Sequence, residues 1–203
     1  MTTEIDKSET NFLFKKRAHR SRNPHLIGRR ALIDPRVRIT RDAGAGTHDF
    51  TNIFVGFEKI EAVKKTFGPN MHEVLKQLKV EVFPTEGFMG VSDEDGHIFA
   101  SEQYLKNGEE RSIYLDIVHE LVHVRQFKEG KNLFDNNYVY VDRPTEIEAY
   151  SVGAEEARRI GLSEQEIFDY LEVPWISKEE HLRLAKACGV RLYHSTGREK
   201  RKK

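Results

Sequence analysis

Apolar residues recur along this chain at two spacings, and the changes between them mark out its elements. Ser112 to Gln126 contains no Gly or Pro, and Ile113, Ile117, Leu121 and Val124 repeat at helical spacing. Val118 and Val122 flank that stripe, so the predicted helix is apolar almost all round and belongs inside a core. Upstream, Ile60, Val63 and Phe67 share a face of a helix predicted near residues 57–67, which Gly68-Pro69 ends. Asn70 can cap a second, short helix reaching about Leu78. Val80-Glu81-Val82-Phe83 alternates as a strand does, and Pro84 to Gly87 turns the chain. Residues 88–91 and 96–100 flank the acidic turn Ser92-Asp93-Glu94-Asp95-Gly96 as a hairpin; this turn has too few ligands for a calcium loop. Beyond the long helix, Asp142 is a plausible N-cap for another, with Pro144 tolerated in its first turn. Ser163 with Glu166, and Ser177 with Glu180, fit the capping box. Pro174 separates the last two helices, Trp175 anchors the final one, and Leu182, Leu184 and Ala185 cover the helix pair before it. Strands before and helices after the central helix predict one α+β domain.

The central helix carries polar residues that a core does not need. His119-Glu120-Leu121-Val122-His123 is an HExxH motif, with two imidazoles four residues apart on one helix face, close enough to share a metal ion. Glu120 then stands beside the metal, where it can take a proton from metal-bound water. Asp116 and Gln126 lie on the histidine face and can orient the imidazoles.

A catalytic zinc takes three protein ligands and leaves a fourth position for water. Two glutamates compete for the third place. Glu146 shares its helix face with Ala149, Tyr150, Gly153, Ala157 and Ile160, small enough in the main for a second helix to approach closely. Glu148 lies with Ser151, Glu155, Arg158 and Arg159 on a solvated face. Glu146 is therefore the expected ligand, and Glu148 a supporting or surface residue. The plainer reading of Glu146 is a glutamate favoured by the helix dipole. A donor for the developing oxyanion is also expected, and Tyr138, Tyr140, Tyr150 and His97 remain equal candidates.

Together, His119-Glu120-Leu121-Val122-His123 and Glu146-Ile147-Glu148-Ala149-Tyr150 resemble the gluzincin metallopeptidases, particularly their small minimal-fold members, the minigluzincins. The resemblance spans roughly residues 57–190. It implies a minimal zincin-like domain, one Zn²⁺ per chain held by His119, His123 and Glu146, and Glu120 as general base in hydrolysing a peptide or protein substrate. It also implies a small sheet before the motif, whose edge strand holds an extended peptide; residues 96–100 are assigned to that edge. Many relatives carry Asp or Asn where this chain has Tyr150, so the support of one zinc-binding histidine differs here. Similar motifs occur in ImmA/IrrE-type proteins, so a regulatory or binding protein on a zincin fold is the alternative reading.

Composition bounds the rest. The 203 residues are 38% hydrophobic and 33% charged, with no apolar run of the roughly 20 residues a membrane helix needs. The first residues lack the apolar segment of a secretory signal, and the single Cys188 allows no internal disulfide or cysteine cluster. The expectation is a cytoplasmic protein without a membrane partner, in which Cys188 is a small buried residue. Zero net charge hides an uneven distribution. Residues 1–50 hold 11 Lys/Arg against 6 Asp/Glu and residues 198–203 hold 5 against 1, which leaves the middle at −9. Three segments are expected: a basic arm (1–50), the zincin-like domain (51–192) and a basic tail (193–203). The run Lys15-Lys16-Arg17-Ala18-His19-Arg20-Ser21-Arg22 can bind nucleic acid, though no nucleic-acid motif accompanies it. Equally, it can cross an acidic cleft and hold a peptidase latent.

Overall fold

The computed structural model describes residues 33–191, and the basic run at 15–22 and the C-terminal tail lie outside them. Residues 33–50, counted above with the basic arm, are part of the body. Strand β1 (Arg38–Ile39) pairs antiparallel with β3 (Phe54–Val55). Between them, β2 (Gly46–Asp49) joins the main sheet and runs into a single helical turn, α1 (Phe50–Ile53). Val37, Ile39, Ala43 and Phe50 are buried, which fixes this segment to the core despite its charged neighbours. Gly56 makes the β1–β3 crossing fit: its φ is +88°, and a Cβ there would meet the Arg36 carbonyl at 2.0 Å.

The helix expected over residues 57–67 is broken. A 3₁₀ turn (Phe57–Lys59) precedes α2 (Glu61–Phe67), and Ile60 between them is extended, with φ −78° and ψ 130°. Gly68, at φ 56°, ends α2 as its sequence requires. Asn70 precedes α3 (Met71–Gln77), but its side chain makes no capping hydrogen bond.

The main sheet has the order β2-β4-β6-β5, with β4 at Lys79–Phe83, β5 at Met89–Val91 and β6 at Ile98–Ser101. Its pairings are antiparallel, parallel and antiparallel in that order. The expected hairpin forms, but the edge assignment is corrected: β6 lies inside the sheet, and its edges are β5 and β2. The cause is apolar matching. Ile98 and Ala100 face Val80 and Val82 across the parallel pair, and all four are buried. The three-residue β5 has Gly90 at its centre, with Phe99 of β6 directly opposite, and suits an edge better.

A short helix the periodicity did not announce, α4 (Glu102–Asn107), follows with Ser101 as its N-cap. The motif helix, α5 (Glu110–Lys128), is buried on nearly every face between Ser112 and Gln126. Against it packs α6 (Pro144–Arg159), where Ala149, Ala154 and Ala157 are fully buried and Pro144 occupies the first turn. Arg143, not Asp142, occupies the N-cap position; Asp142 closes a 3₁₀ turn (Tyr140–Asp142) and pairs with Arg183. Both capping boxes form, at α7 (Glu164–Tyr170) and α8 (Lys178–Ala187). Leu184 and Ala185 are buried as expected, whereas Leu182 points outward. Cys188 is buried, and burial pushes its thiol up to about 11. The molecule is thus mixed α/β, with a small open sheet and several helices. None of its described helices is long and apolar enough to cross a membrane.

One polar network ties the N-terminal segment to the helix pair. Glu156 of α6, buried, accepts a hydrogen bond from the Tyr114 hydroxyl of α5 and pairs with Arg159, which reaches Asp34 at 3.6 Å. Removing the cation would leave a buried carboxylate with only a phenol as partner. Arg159→Ala should therefore lower stability by about 2 kcal/mol, discounted because Arg159 is partly exposed. Urea unfolding measures it, and an unchanged midpoint would contradict the network's role.

Candidate metal centre

Helices α5 and α6 converge on three buried donor atoms. The Nε2 atoms of His119 and His123 are 2.9 Å apart, and Glu146 Oε2 is 3.5 Å from each. A circle through these atoms has a radius of about 1.9 Å. That is the spread three ligands adopt around a tetrahedral ion bound at ~2.0–2.1 Å. Glu120 is buried beside them, and its carboxylate lies close enough to the two imidazoles to complete a metal-binding group with them. The sequence-predicted His119, Glu120, His123 and Glu146 are thus brought together, and a buried His-Glu-His group that could hold a metal ion is present.

The tautomer at His123 follows from its surroundings. The Gln126 side-chain amide donates through Nε2 to the Thr145 carbonyl (3.0 Å) and to Glu148 Oε2 (2.8 Å). Its Oε1 therefore faces His123 Nδ1 at 2.7 Å and accepts from it. Once Nε2 gives up its proton and the other stays on Nδ1, the Nε2 lone pair points at the three-atom cluster, as metal ligation requires. Glu148 forms the far end of this chain, held by Gln126, Arg125 and Lys131. Burial opposes its charge, yet Arg125, Gln126 and Lys131 hold its carboxyl down at about 2.

His119 is held differently. Its Nδ1 is buried without a hydrogen-bond partner, and its ring packs on that of Tyr150 with centroids 4.3 Å apart. Asp116, expected to orient an imidazole, instead accepts a hydrogen bond from Tyr104. Tyr150 thus supports His119 by packing. Of the expected oxyanion donors, Tyr138 is exposed and Tyr150 is occupied against His119. His97 pairs with Asp95 and Glu81 and does not line the cleft. Tyr140 does line it, with its hydroxyl 2.8 Å from that of Tyr150.

The cleft above the cluster is bordered by residues 88–91 of the β5 edge, by Leu133 and Phe134, and by Tyr140, Arg143 and Trp175. Leu133, Phe134 and Arg143 were not singled out from the sequence. Trp175, expected only as a helix anchor, packs edge-on to Tyr140 at 5.6 Å and forms part of the cleft wall.

The cluster carries an internal salt link between its imidazoles and Glu146. Burial disfavours charge on His123, but the carboxylates of Glu146 and Glu120 raise it to about 9. Glu146 is held well below the usual carboxylate range: burial opposes this, and His123 and His119 outweigh it. The donor chemistry fits a borderline divalent ion such as Zn²⁺: two imidazoles and a carboxylate, with Glu146 Oε2 otherwise lacking a hydrogen-bond donor.

No family model matches the chain, and neither the curated proteins nor the solved structures provide a match.

The raised His123 pKa makes ion binding and proton release one event. Without metal, stability from His123 is fully present below about 6.5 and is lost as pH rises through about 9. Glu146 contributes above its ordinary 4.5 and loses that contribution as pH falls. At pH 7 an incoming ion must displace the His123 proton, so binding should release about one proton per site. Calorimetry in buffers of different ionisation enthalpy measures this. Binding without proton release would mean that His123 is not displaced.

Proposed function

We propose that the chain is a zinc-dependent metallopeptidase of the gluzincin type, on a minimal zincin-like domain, that hydrolyses peptide bonds in the cytoplasm. One observation carries the reading: three buried donors with tetrahedral-ligand spacing lie beside an acidic residue at the floor of a cleft bordered by a sheet edge. His119, His123 and Glu146 would hold Zn²⁺, which when bound acidifies its water towards a pKa of about 7 and polarises a carbonyl.

The remaining steps belong to the protein. An extended substrate adds to β5, which pairs on one side with β6, and main-chain hydrogen bonds align the scissile bond over the cluster. Glu120 takes a proton from the attacking water and delivers it to the leaving amine. Its burial raises the strength of that interaction and keeps bulk water away. Gln126, fixed by Glu148 and Thr145, keeps the His123 lone pair aimed inward while charge moves. Tyr140 is the donor best placed at the cleft wall for the oxyanion.

Glu120→Gln separates this from a binding role. It should retain the metal while cleavage of a mixture of unstructured peptides, followed by mass spectrometry, falls by about 10²–10⁴-fold. Cleavage at the wild-type rate would refute the assignment of Glu120. Absence of cleavage by metal-loaded wild type, with a protein partner bound equally by both forms, would favour the regulatory zincin reading.

A further inference from the structure

The cleft contains one charge that the hydrolytic chemistry does not use. Arg143 precedes α6 with φ −63° and ψ 124°, and Pro144 follows it. Its position is thereby fixed three residues before Glu146. It lines the cleft with Glu120, His123, Tyr140 and Trp175. Its Nε is buried and lacks a hydrogen-bond partner among the described residues. Other arginines on and around the helix pair are ion-paired: Arg125 with Glu148 through its terminal nitrogen (its Nε, like that of Arg143, has no partner among the described residues), Arg158 with Glu164, Arg159 with Glu156 and Arg183 with Asp142. A guanidinium kept partly out of water without a partner is costly, and a carboxylate is the ligand that best satisfies its planar fork. The local charge balance agrees. A divalent ion held there would be neutralised by Glu120 and Glu146, which would leave Arg143 as the net charge of the cleft.

We propose that Arg143 is a specificity-determining anchor for a substrate carboxylate, seated next to an aromatic or large apolar residue that packs on Tyr140 and Trp175. The carboxylate belongs either to an acidic side chain beside the scissile bond or to the substrate's C-terminus. The inference rests on the peptidase reading only in calling the ligand a substrate.

Trp175 is the only tryptophan of the chain, so its emission reports occupancy of this cleft. The full-length protein is titrated with acetyl-Phe-Gln-amide, acetyl-Phe-Glu-amide and acetyl-Phe-Gln carrying a free C-terminal carboxylate. At least one carboxylate probe should bind about tenfold more tightly than the uncharged one, and which probe does so identifies the source. Arg143→Ala and Arg143→Gln should each abolish that preference while leaving the uncharged probe within about twofold, and Arg143→Lys should restore part of it. A preference should persist in Glu146→Ala. Three outcomes overturn the proposal: equal affinity for all probes, no binding of any, or a preference that survives Arg143→Ala but is lost in Glu146→Ala. The last would place the carboxylate on the metal. Because the readout is binding, failure to find hydrolysis counts against the peptidase reading alone.

Discussion

Burying two imidazoles and a carboxylate with their donor atoms within 3.5 Å of one another is unfavourable unless something compensates. Here, compensation in the ion-free protein comes from a salt link, with His123 charged and Glu146 held ionised. That link requires α5 and α6 to meet at close range. The packing of Ala149, Ala154 and Ala157 permits the approach, and the Tyr114–Glu156–Arg159 network clamps the same pair further along. In the proposed reading a divalent ion would replace one proton and use the same three atoms.

From that point the support spreads outward unevenly. His123 is anchored by a polar chain running through Gln126 to Glu148, Arg125 and Lys131. Outside the cluster, the His119 support among the described residues is the packed Tyr150 ring. The Tyr150 hydroxyl bonds Tyr140, whose ring meets Trp175, so the packing that holds one imidazole continues into the wall of the cleft. The wall of the cleft at Trp175 is thus continuous, through Tyr140 and Tyr150, with the His119 ring.

Much of this was legible in the sequence because its causes are local. The spacing of His119, Glu120 and His123 needs only a helix, and the gap from His123 to Gln126 puts an amide on the same face. The distinction between Glu146 and Glu148 followed from which side of α6 carries small residues. Strand order was not legible. Residues 96–100 look like an edge until Val80 and Val82 pair beside them, a match made across the chain. Residues 38–49 read as part of a basic arm because their surface charges mask a few buried side chains. Arg143 carries no periodic signal; only its place at the mouth of the assembled cleft distinguishes it from its ion-paired neighbours.

The most direct measurement is metal content by elemental analysis of the purified full-length wild type beside Glu146→Ala. The account expects one zinc per wild-type chain, and loss or at least hundredfold weakening in the variant, since removing a ligand should cost more than the roughly 10–100-fold of removing a partner behind one. A folded wild type that takes up no ion when zinc is supplied would contradict it. So would a Glu146→Ala variant that binds zinc as tightly as the wild type.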